Sequence, residues 1–259
     1  MVDLQGFSFW ANCMSPKLEK RRIDEWLFKL EFVDSREKAK RLVLAGKVKS
    51  SSRTFTKPSI LITEEEAQSI SVEEPMKYVS RGGQKLEGAF EKWNILVQGL
   101  VCLDVGSSTG GFTDCLLQKG AKKVFAIDNG TNQLAWKLRT DERVISLEKT
   151  DIRKLESLPE AELAEFCCVD VSFISLKSVL PHLPKFLKNE SNIIALLKPQ
   201  FEVGRENIAK GGIVKDPQVH EALLQEFSDW LKENFRPAKE FIPSPITGTD
   251  GNKEYLFLL

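Results

Sequence analysis

Four short apolar runs at nearly regular spacing place the strongest limit on what this chain of 259 residues can fold into. They cover residues 101–105, 123–127, 166–170 and 193–197, a weaker run covers 144–147, and stretches with amphipathic helical spacing separate them. Strands that are apolar on both faces and alternate with helices are typical of a parallel sheet covered by helices. We therefore expect an α/β fold with a doubly wound, mostly parallel sheet.

The first of these runs ends in a glycine-rich loop, Asp-Val-Gly-Ser-Ser-Thr-Gly-Gly, over residues 104–111. Glycines let the backbone approach a ligand closely, and open α/β sheets bind ligands at the carboxyl ends of their strands. A dinucleotide-binding loop would show G-x-G-x-x-G facing a pyrophosphate. Because Asp104 instead precedes a single Gly106, the loop favours a ligand without phosphate.

The N-terminal part of the chain is basic although the whole chain has no net charge. Residues 1–60 hold 13 Lys and Arg against 7 Asp and Glu, out of 37 of each class in the chain. Helical spacing of Ile23, Trp26 and Leu27 predicts one helix, and a second begins at Asp34 or Ser35 and ends at Gly46. Strand-like segments follow around Val48 and Ile60, so this part is expected to be a small α+β domain.

Basic residues cluster on the outer face of the second predicted helix and in the turn after it. A solvated helix face is the usual explanation of such a run, and a surface that follows RNA phosphates is the alternative. The candidate RNA-binding residues are Arg22, Arg36, Lys38, Lys40, Arg41, Lys47 and Lys49.

Changes of composition suggest the domain boundaries. Residues 1–16 show no helical period and are expected to form a leader that packs weakly; residues 17–62 form the small domain, and 78–259 the large one. The acidic stretch with Pro75 marks residues 63–77 as a linker. No apolar run approaches the roughly 20 residues of a membrane helix, and no charged secretory leader is seen, so we expect a cytoplasmic protein.

Four ionisable residues stand where the predicted sheet would expose its edge. Lys85 precedes the first strand, Asp170 and Lys198 end two apolar strands, and Glu254 precedes the last one. An isolated buried charge is unfavourable, so two cations and two anions are expected to pair. For any one of them alone, a structural ion pair is the better explanation.

Several motifs resemble known families. Residues 22–27 and 35–48 resemble the RNA-binding module named after small-subunit ribosomal protein four. Asp-x-Gly at 104–106 resembles the first motif of class I methyltransferases, and Lys85, Asp170, Lys198 and Glu254 resemble in order and context the Lys-Asp-Lys-Glu tetrad of FtsJ-type ribose 2′-O-methyltransferases. From about Leu18 onward the chain resembles the TlyA family of ribosomal RNA methyltransferases, including Ser-Arg-Gly-Gly at 80–83, Asp-Val-Ser-Phe-Ile-Ser at 170–175 and Gly-Gly-Ile-Val at 211–214.

The resemblance implies a Rossmann-like class I methyltransferase domain with S-adenosylmethionine as its cofactor. Asp128, 24 residues after Asp104, is then the residue expected to accept the ribose hydroxyls of the cofactor, and Asp151 could meet its adenine amino group, although an exposed loop acid explains Asp151 nearly as well. The expected cofactor-binding residues are Asp104, Gly106, Ser107, Gly110, Gly111, Asp128 and Asp151.

The resemblance also implies a reaction, the methylation of ribose 2′-hydroxyls of cytidines in 16S or 23S ribosomal RNA or both. A base must take the hydroxyl proton as the methyl group is transferred. Lys198 is the expected general base, because a lysine acts as a base in its neutral form and a second lysine with partial burial favours that form. Lys85 and Asp170 are expected to tune and orient it, Glu254 to anchor the site or the target ribose, and no metal is needed.

Three other interpretations remain open. Members of the TlyA family often carry a haemolysin label, which suggests a membrane-active protein, but the sequence offers no membrane segment for it. A catalytically inactive RNA-binding assembly factor would not need the tetrad. A base methyltransferase would more naturally show an Asn-Pro-Pro-Tyr motif or a catalytic cysteine than the Asp-Val-Ser-Phe sequence at 170–173.

Overall fold

The protein was analysed as a computed structural model, which describes residues 20–73, 76–248 and 250–259. The chain divides into two compact units between residues 75 and 76. The expected leader over residues 1–16 lies outside the described residues.

The N-terminal unit packs three short helices against small antiparallel sheets. Its elements are β1 Lys20–Arg22, α1 Ile23–Lys29, α2 Arg36–Leu44, β2 Val48–Lys49, β3 Thr54–Phe55, β4 Leu61–Thr63, α3 Glu64–Gln68 and β5 Ser71–Val72. Ser35 caps α2 by accepting a hydrogen bond from the Lys38 backbone N–H, and Gly46 follows the helix in the left-handed region, with φ of 67°. Both predicted helices and both strand-like segments are thus confirmed.

The stretch expected to be a linker, residues 63–77, is instead largely folded into the N-terminal unit. Helix α3 and strand β5 lie within it, β5 pairs with β2, and Ala67 and Ile70 are buried in the unit's core. The acidic residues that suggested a linker occupy the first turn of α3, where negative charge is favourable. Charge composition therefore misplaced the boundary, because a solvated helix face and a linker look alike in composition.

The C-terminal unit is built on seven strands. Its elements are α4 Gly82–Trp93, β6 Val101–Val105, α5 Gly111–Gln118, β7 Lys123–Ile127, α6 Trp136–Arg139, β8 Val144–Leu147, β9 Ala164–Val169, β10 Leu187–Leu197, α7 Pro217–Asn234, β11 Glu240–Pro243 and β12 Tyr255–Leu258. The strand order is β11-β12-β10-β9-β6-β7-β8. Strands β6 to β10 are mutually parallel, while β12 runs antiparallel between β10 and β11. Apolar clusters cover both faces of the sheet, as a doubly wound fold requires.

The predicted strands of the sheet are confirmed, with differences in the bounds of two. Strand β9 covers Ala164–Val169 rather than 166–170. Strand β10 begins at Leu187, six residues before the expected start, and its pairing with β9 is interrupted between Leu187 and Asn192. Residues 188–190 of the interrupted segment are polar and exposed, and Glu190 lies in the left-handed region, with φ of 64°. An apolar pattern cannot detect such a segment as part of a strand.

Candidate active site

The topology brings the four ionisable residues to one edge of the sheet. Asp170 and Lys198 directly follow the parallel strands β9 and β10, and Glu254 directly precedes β12, whose antiparallel direction returns its start to the same edge. Lys85 lies one turn into α4. All four line a cavity of about 530 Å³, together with Gly106, Ser107 and Gly111 of the glycine-rich loop.

Lys85 and Glu254 form a buried ion pair in this cavity. Lys85 Nζ donates to Glu254 Oε2 at 2.5 Å, and their side chains are only 9% and 3% exposed. Gly248 adjoins the other carboxylate oxygen so closely that a Cβ there would lie 2.5 Å from it. The pair joins α4 to the start of β12 and fixes one wall of the cavity.

Lys198 and Asp170 form the second ion pair, which is more accessible. Lys198 Nζ lies 2.6 Å from Asp170 Oδ1, with the side chains 12% and 20% exposed. Lys198 Nζ also donates to Ser172 Oγ at 2.9 Å. Besides its bond to Cε, the nitrogen has three tetrahedral positions, so its contacts with these two oxygens leave one position for a group that enters the cavity.

The glycine-rich loop leaves β6 and passes along the same cavity. Gly106 has a φ of 85°, and a Cβ on it would lie 2.3 Å from the Asp170 backbone oxygen. Only glycine therefore allows the two strand ends to approach so closely. Of the expected cofactor residues, Gly106, Ser107 and Gly111 line the first cavity.

Asp104 and Gly110 line neither of the two cavities described here and contribute indirectly. Asp104 is fully buried beneath the loop, and its Oδ2 accepts a hydrogen bond from Thr113 Oγ1 at 2.6 Å, while Oδ1 has no hydrogen-bond partner. Burial raises the pKa of Asp104 to about 7, the negative charge of Asp170 adds to this rise, and the Thr113 hydrogen bond opposes it. Gly110 is the N-cap of α5.

A second cavity, of about 330 Å³, adjoins the first and shares Gly106, Ser108 and Asp170 with it. Asp128 lines it from the end of β7. Its carboxylate accepts two backbone hydrogen bonds, from Ser108 N at 2.7 Å and from Gly130 N at 2.6 Å. The carboxylate is thus held in place with further lone pairs available to hydroxyl donors.

Asp151 also lines the second cavity, but Arg153 already engages it. The Arg153 guanidinium reaches both carboxylate oxygens, with the shortest contact at 2.6 Å from Nη2 to Oδ2. This hydrogen bonding lowers the pKa of Asp151 to about 2. Sequence reasoning did not find Arg153, because an arginine two residues after an acid has no distinctive pattern.

Phe173 is the other feature that sequence reasoning left without a role. It lines both cavities, is 90% exposed, and has a φ of 63°, which is unusual for a residue with a bulky side chain. Its ring lies 5.1 Å from that of Phe201, centroid to centroid. Its place within the quoted motif at 170–175 was the one available signal.

In the N-terminal unit, six of the seven candidate RNA-binding residues form ion pairs with acids of the same unit. Lys47 and Lys49 both contact Glu73, and Arg22 and Arg36 both contact Asp24. Lys38 pairs with Asp34 and Lys40 with Glu37. Arg41 forms no ion pair with any residue that the structure describes.

The C-terminal unit has the groups that S-adenosylmethionine would require. Gly106 provides a close backbone approach, Asp128 provides fixed acceptors for ribose hydroxyls, and the two joined cavities provide room for an adenosyl group beside an amino acid group. In the described part of the chain, no helix is both long and apolar enough to cross a membrane.

Comparison with known proteins identifies both units. Residues 78–259 match the model of the FtsJ-like methyltransferase family, and residues 21–66 match that of the S4 domain. The chain is 45% identical to YqxC of Bacillus subtilis, over 93% of this chain and 86% of that protein. It is 38% identical to the 16S/23S rRNA (cytidine-2′-O)-methyltransferase TlyA of Mycobacterium tuberculosis, over 93% and 90% of the two chains.

A solved structure from Streptococcus thermophilus, whose name contains the word hemolysin, is 41% identical, covers 93% of this chain and 88% of its own, and superposes with a TM-score of 0.69.

Proposed function

The chain belongs to the TlyA family of FtsJ-like methyltransferases that carry an S4 domain, and from this premise we propose that it methylates the ribose 2′-hydroxyl of cytidines in ribosomal RNA. The cofactor of the family, S-adenosylmethionine, supplies an electrophilic methyl group. The observation that carries the proposal is the convergence of Lys85, Asp170, Lys198 and Glu254 on the cavity beside the glycine-rich loop.

Lys198 is the general base in this proposal. In its neutral form the amine still donates an N–H group to Ser172 Oγ and lies 2.6 Å from Asp170 Oδ1, and its lone pair accepts the proton of the 2′-hydroxyl as the oxygen attacks. Asp170 holds the Lys198 side chain in position, and Glu254 holds Lys85.

Phe173 supports a nucleotide as the substrate. An aromatic ring that is almost fully exposed at the mouth of a cavity offers a face on which an unpaired base can stack. Its contact with Phe201 keeps that ring beside the cavity although the ring is largely in solvent. A stacked base would bring its own ribose next to Lys198, and alignment of the reacting groups supplies much of the rate acceleration.

The test is mass-spectrometric mapping of 2′-O-methyl nucleotides in ribosomal RNA from cells with and without this gene. We expect methylated cytidine to disappear on deletion and to return with the wild-type gene but not with Lys198→Arg. Lys232→Arg is the matched control, because Lys232 lies on α7 in an exposed ion pair with Asp229 and should restore the methyl group. Unchanged ribose methylation after deletion, or the loss of a base methyl group instead, would refute the proposal.

A further inference from the structure

A solvent-exposed hairpin is hydrogen-bonded to the segment that carries Glu254 of the catalytic cavity. We call residues 204–215 the glycine hairpin: a backbone bridge joins Ala209 to Ile213, and the tip is formed by Lys210, Gly211 and Gly212. Gly211 and Gly212 have φ values of 94° and 78°, and a Cβ on either would meet nothing within 4 Å. The tip therefore presents bare backbone to whatever approaches it.

Buried polar side chains hold this hairpin in place. Asn252, 1% exposed, accepts a hydrogen bond from Val214 N at 3.0 Å and donates one to Gly212 O at 2.8 Å. His220 Nε2 lies 3.0 Å from Val214 O, and its Nδ1 lies 3.0 Å from Tyr255 Oη. Glu254 of the tetrad lies between Asn252 and Tyr255 in sequence, so the segment that completes the catalytic cavity also fixes the hairpin.

The hairpin carries cations that no acid neutralises. Arg205, Lys210 and Lys215 are exposed, and none of them forms an ion pair within residues 20–73, 76–248 and 250–259. The acids nearest in sequence have other roles, because Asp216 caps α7 and the Glu206 carboxylate folds back against Gly204. Two further cations are exposed. Arg81 lines the cavity, and its guanidinium donates a hydrogen bond to Thr247 O, while Lys253 directly precedes Glu254.

We propose that the glycine hairpin is an RNA-binding surface of the catalytic unit, which holds the phosphates that flank the target ribose. This inference rests on the proposed function for the identity of the RNA. Contacts to phosphate fix the register and orientation of the protein on RNA and do not read its sequence. A cation without an ion-pair partner can bind a phosphate and release a condensed counterion without first breaking an ion pair within the protein. A preorganised hairpin beside the cavity can therefore position the ribose for Lys198.

The test compares two triple variants of the full chain. Arg205→Ala with Lys210→Ala and Lys215→Ala removes the free cations, and Lys92→Ala with Lys188→Ala and Lys232→Ala removes three exposed lysines that are ion-paired elsewhere on the same unit. Filter binding to ribosomal subunits from cells that lack the gene is measured from about 50 to 300 mM KCl. Calorimetry with S-adenosylmethionine reports whether the cofactor cavity is intact.

For the hairpin variant we expect Kd at about 100 mM salt to rise roughly tenfold and the salt slope to fall by about 2, or 0.7 for each cation. The matched variant should change Kd less than about twofold. In methylation assays the hairpin variant should need about tenfold more subunits for half-maximal rate, with a smaller change in the rate at saturation.

A salt slope of the hairpin variant that falls no further than that of the matched variant would overturn the proposal. Failure of the wild type to methylate ribose would overturn the proposed function, while the slopes would still decide the role of the hairpin.

Discussion

Lysines and arginines serve different ends in the N-terminal unit and in the catalytic cavity, although both regions pair them with acids. Apart from the pairs of the buried Asp24, the pairs of the N-terminal unit are exposed, as between Lys47 and Glu73, with side chains 38% and 52% accessible. The cavity pair of Lys85 and Glu254 is 9% and 3% accessible. Exposed ion pairs contribute little to the free energy of unfolding and exchange partners readily. Removal of one partner from a buried pair, in contrast, leaves an uncompensated charge in the interior. Burial therefore distinguishes two kinds of cation. Exposed ones can exchange their acid for an RNA phosphate, and buried ones maintain the structure of a site.

The strongest way to test this contrast is to change the charged groups of the cavity. Lys198→Arg keeps the positive charge but cannot release a proton, so we expect single-turnover methylation to fall about 10²- to 10⁴-fold with RNA and cofactor saturating. Glu254→Gln leaves Lys198 in place and should have a milder effect. Turnover near the wild-type level in Lys198→Arg would exclude proton removal by this residue.

The second prediction concerns Asp104, whose pKa of about 7 lies far above its ordinary value of 3.8 because of burial. The unfolded chain loses this proton near pH 4 and the folded chain near pH 7, so stability falls as pH rises between these values. Asp104→Asn removes the titration. At about 1.4 kcal/mol per pKa unit, the free energy of unfolding of the variant relative to wild type should increase by about 2–3 kcal/mol from pH 5 to pH 8.

Denaturant unfolding of the cofactor-free protein at both pH values measures this difference for Asp104→Asn. The exposed Asp229→Asn serves as the control, because its carboxylate is not buried and its pKa is lowered by hydrogen bonds from Gln225 and Lys232. A difference between Asp104→Asn and wild type that is the same at pH 5 and pH 8 would mean that Asp104 does not titrate in this range.

The sequence predicts the sheet and the convergence of the tetrad better than it predicts the state of individual charges. Strands β6, β7 and β8 have the expected bounds because their apolar runs are continuous. The positions after β9 and β10 meet at one edge because parallel strands end together. The motif around Asp104, in contrast, suggests a direct contact with the ligand, but the side chain is buried under the loop. Its position relative to the cavity depends on how residues 106–111 turn, which the sequence does not reveal.

Ion pairing between distant residues is equally hidden from sequence. Glu73 contacts Lys47 and Lys49 because β5 pairs with β2, and the sequence had assigned Glu73 to a linker. The glycine hairpin shows the reverse case, since three cations spread over eleven residues do not form a charge run and yet form no ion pair with the residues that the structure describes. A count of charges along the chain therefore does not detect the cations of the hairpin.

The third prediction separates free from paired cations within the N-terminal unit. Arg41→Ala removes the cation without an ion pair, and Lys40→Ala removes its neighbour, which is paired with Glu37. We expect Arg41→Ala to weaken binding to ribosomal subunits about three- to fivefold and to lower the salt slope by about 0.7, and Lys40→Ala to do less than half as much. Equal effects of the two variants in filter binding would show that surface pairing does not reduce a lysine's contribution. Reversal of both Arg41 and Lys47 to Glu should flatten the slope further.

The smallest expected effect is a gain of affinity. Glu73→Gln removes the carboxylate that Lys47 and Lys49 share, so both ammonium groups become free to approach phosphate. Because the pair is exposed, the change should leave the melting temperature almost unaltered. We expect binding to ribosomal subunits at about 50 mM salt to tighten roughly two- to threefold, with a steeper salt dependence. Glu65→Gln removes an equal charge from the exposed face of α3. No lysine or arginine in the described part of the chain is paired with Glu65, so this variant measures the general effect of lost negative charge. If Glu73→Gln gains no more affinity than Glu65→Gln, the two lysines do not face the RNA, and the N-terminal contribution must come from cations such as Arg41, which forms no ion pair within the described residues.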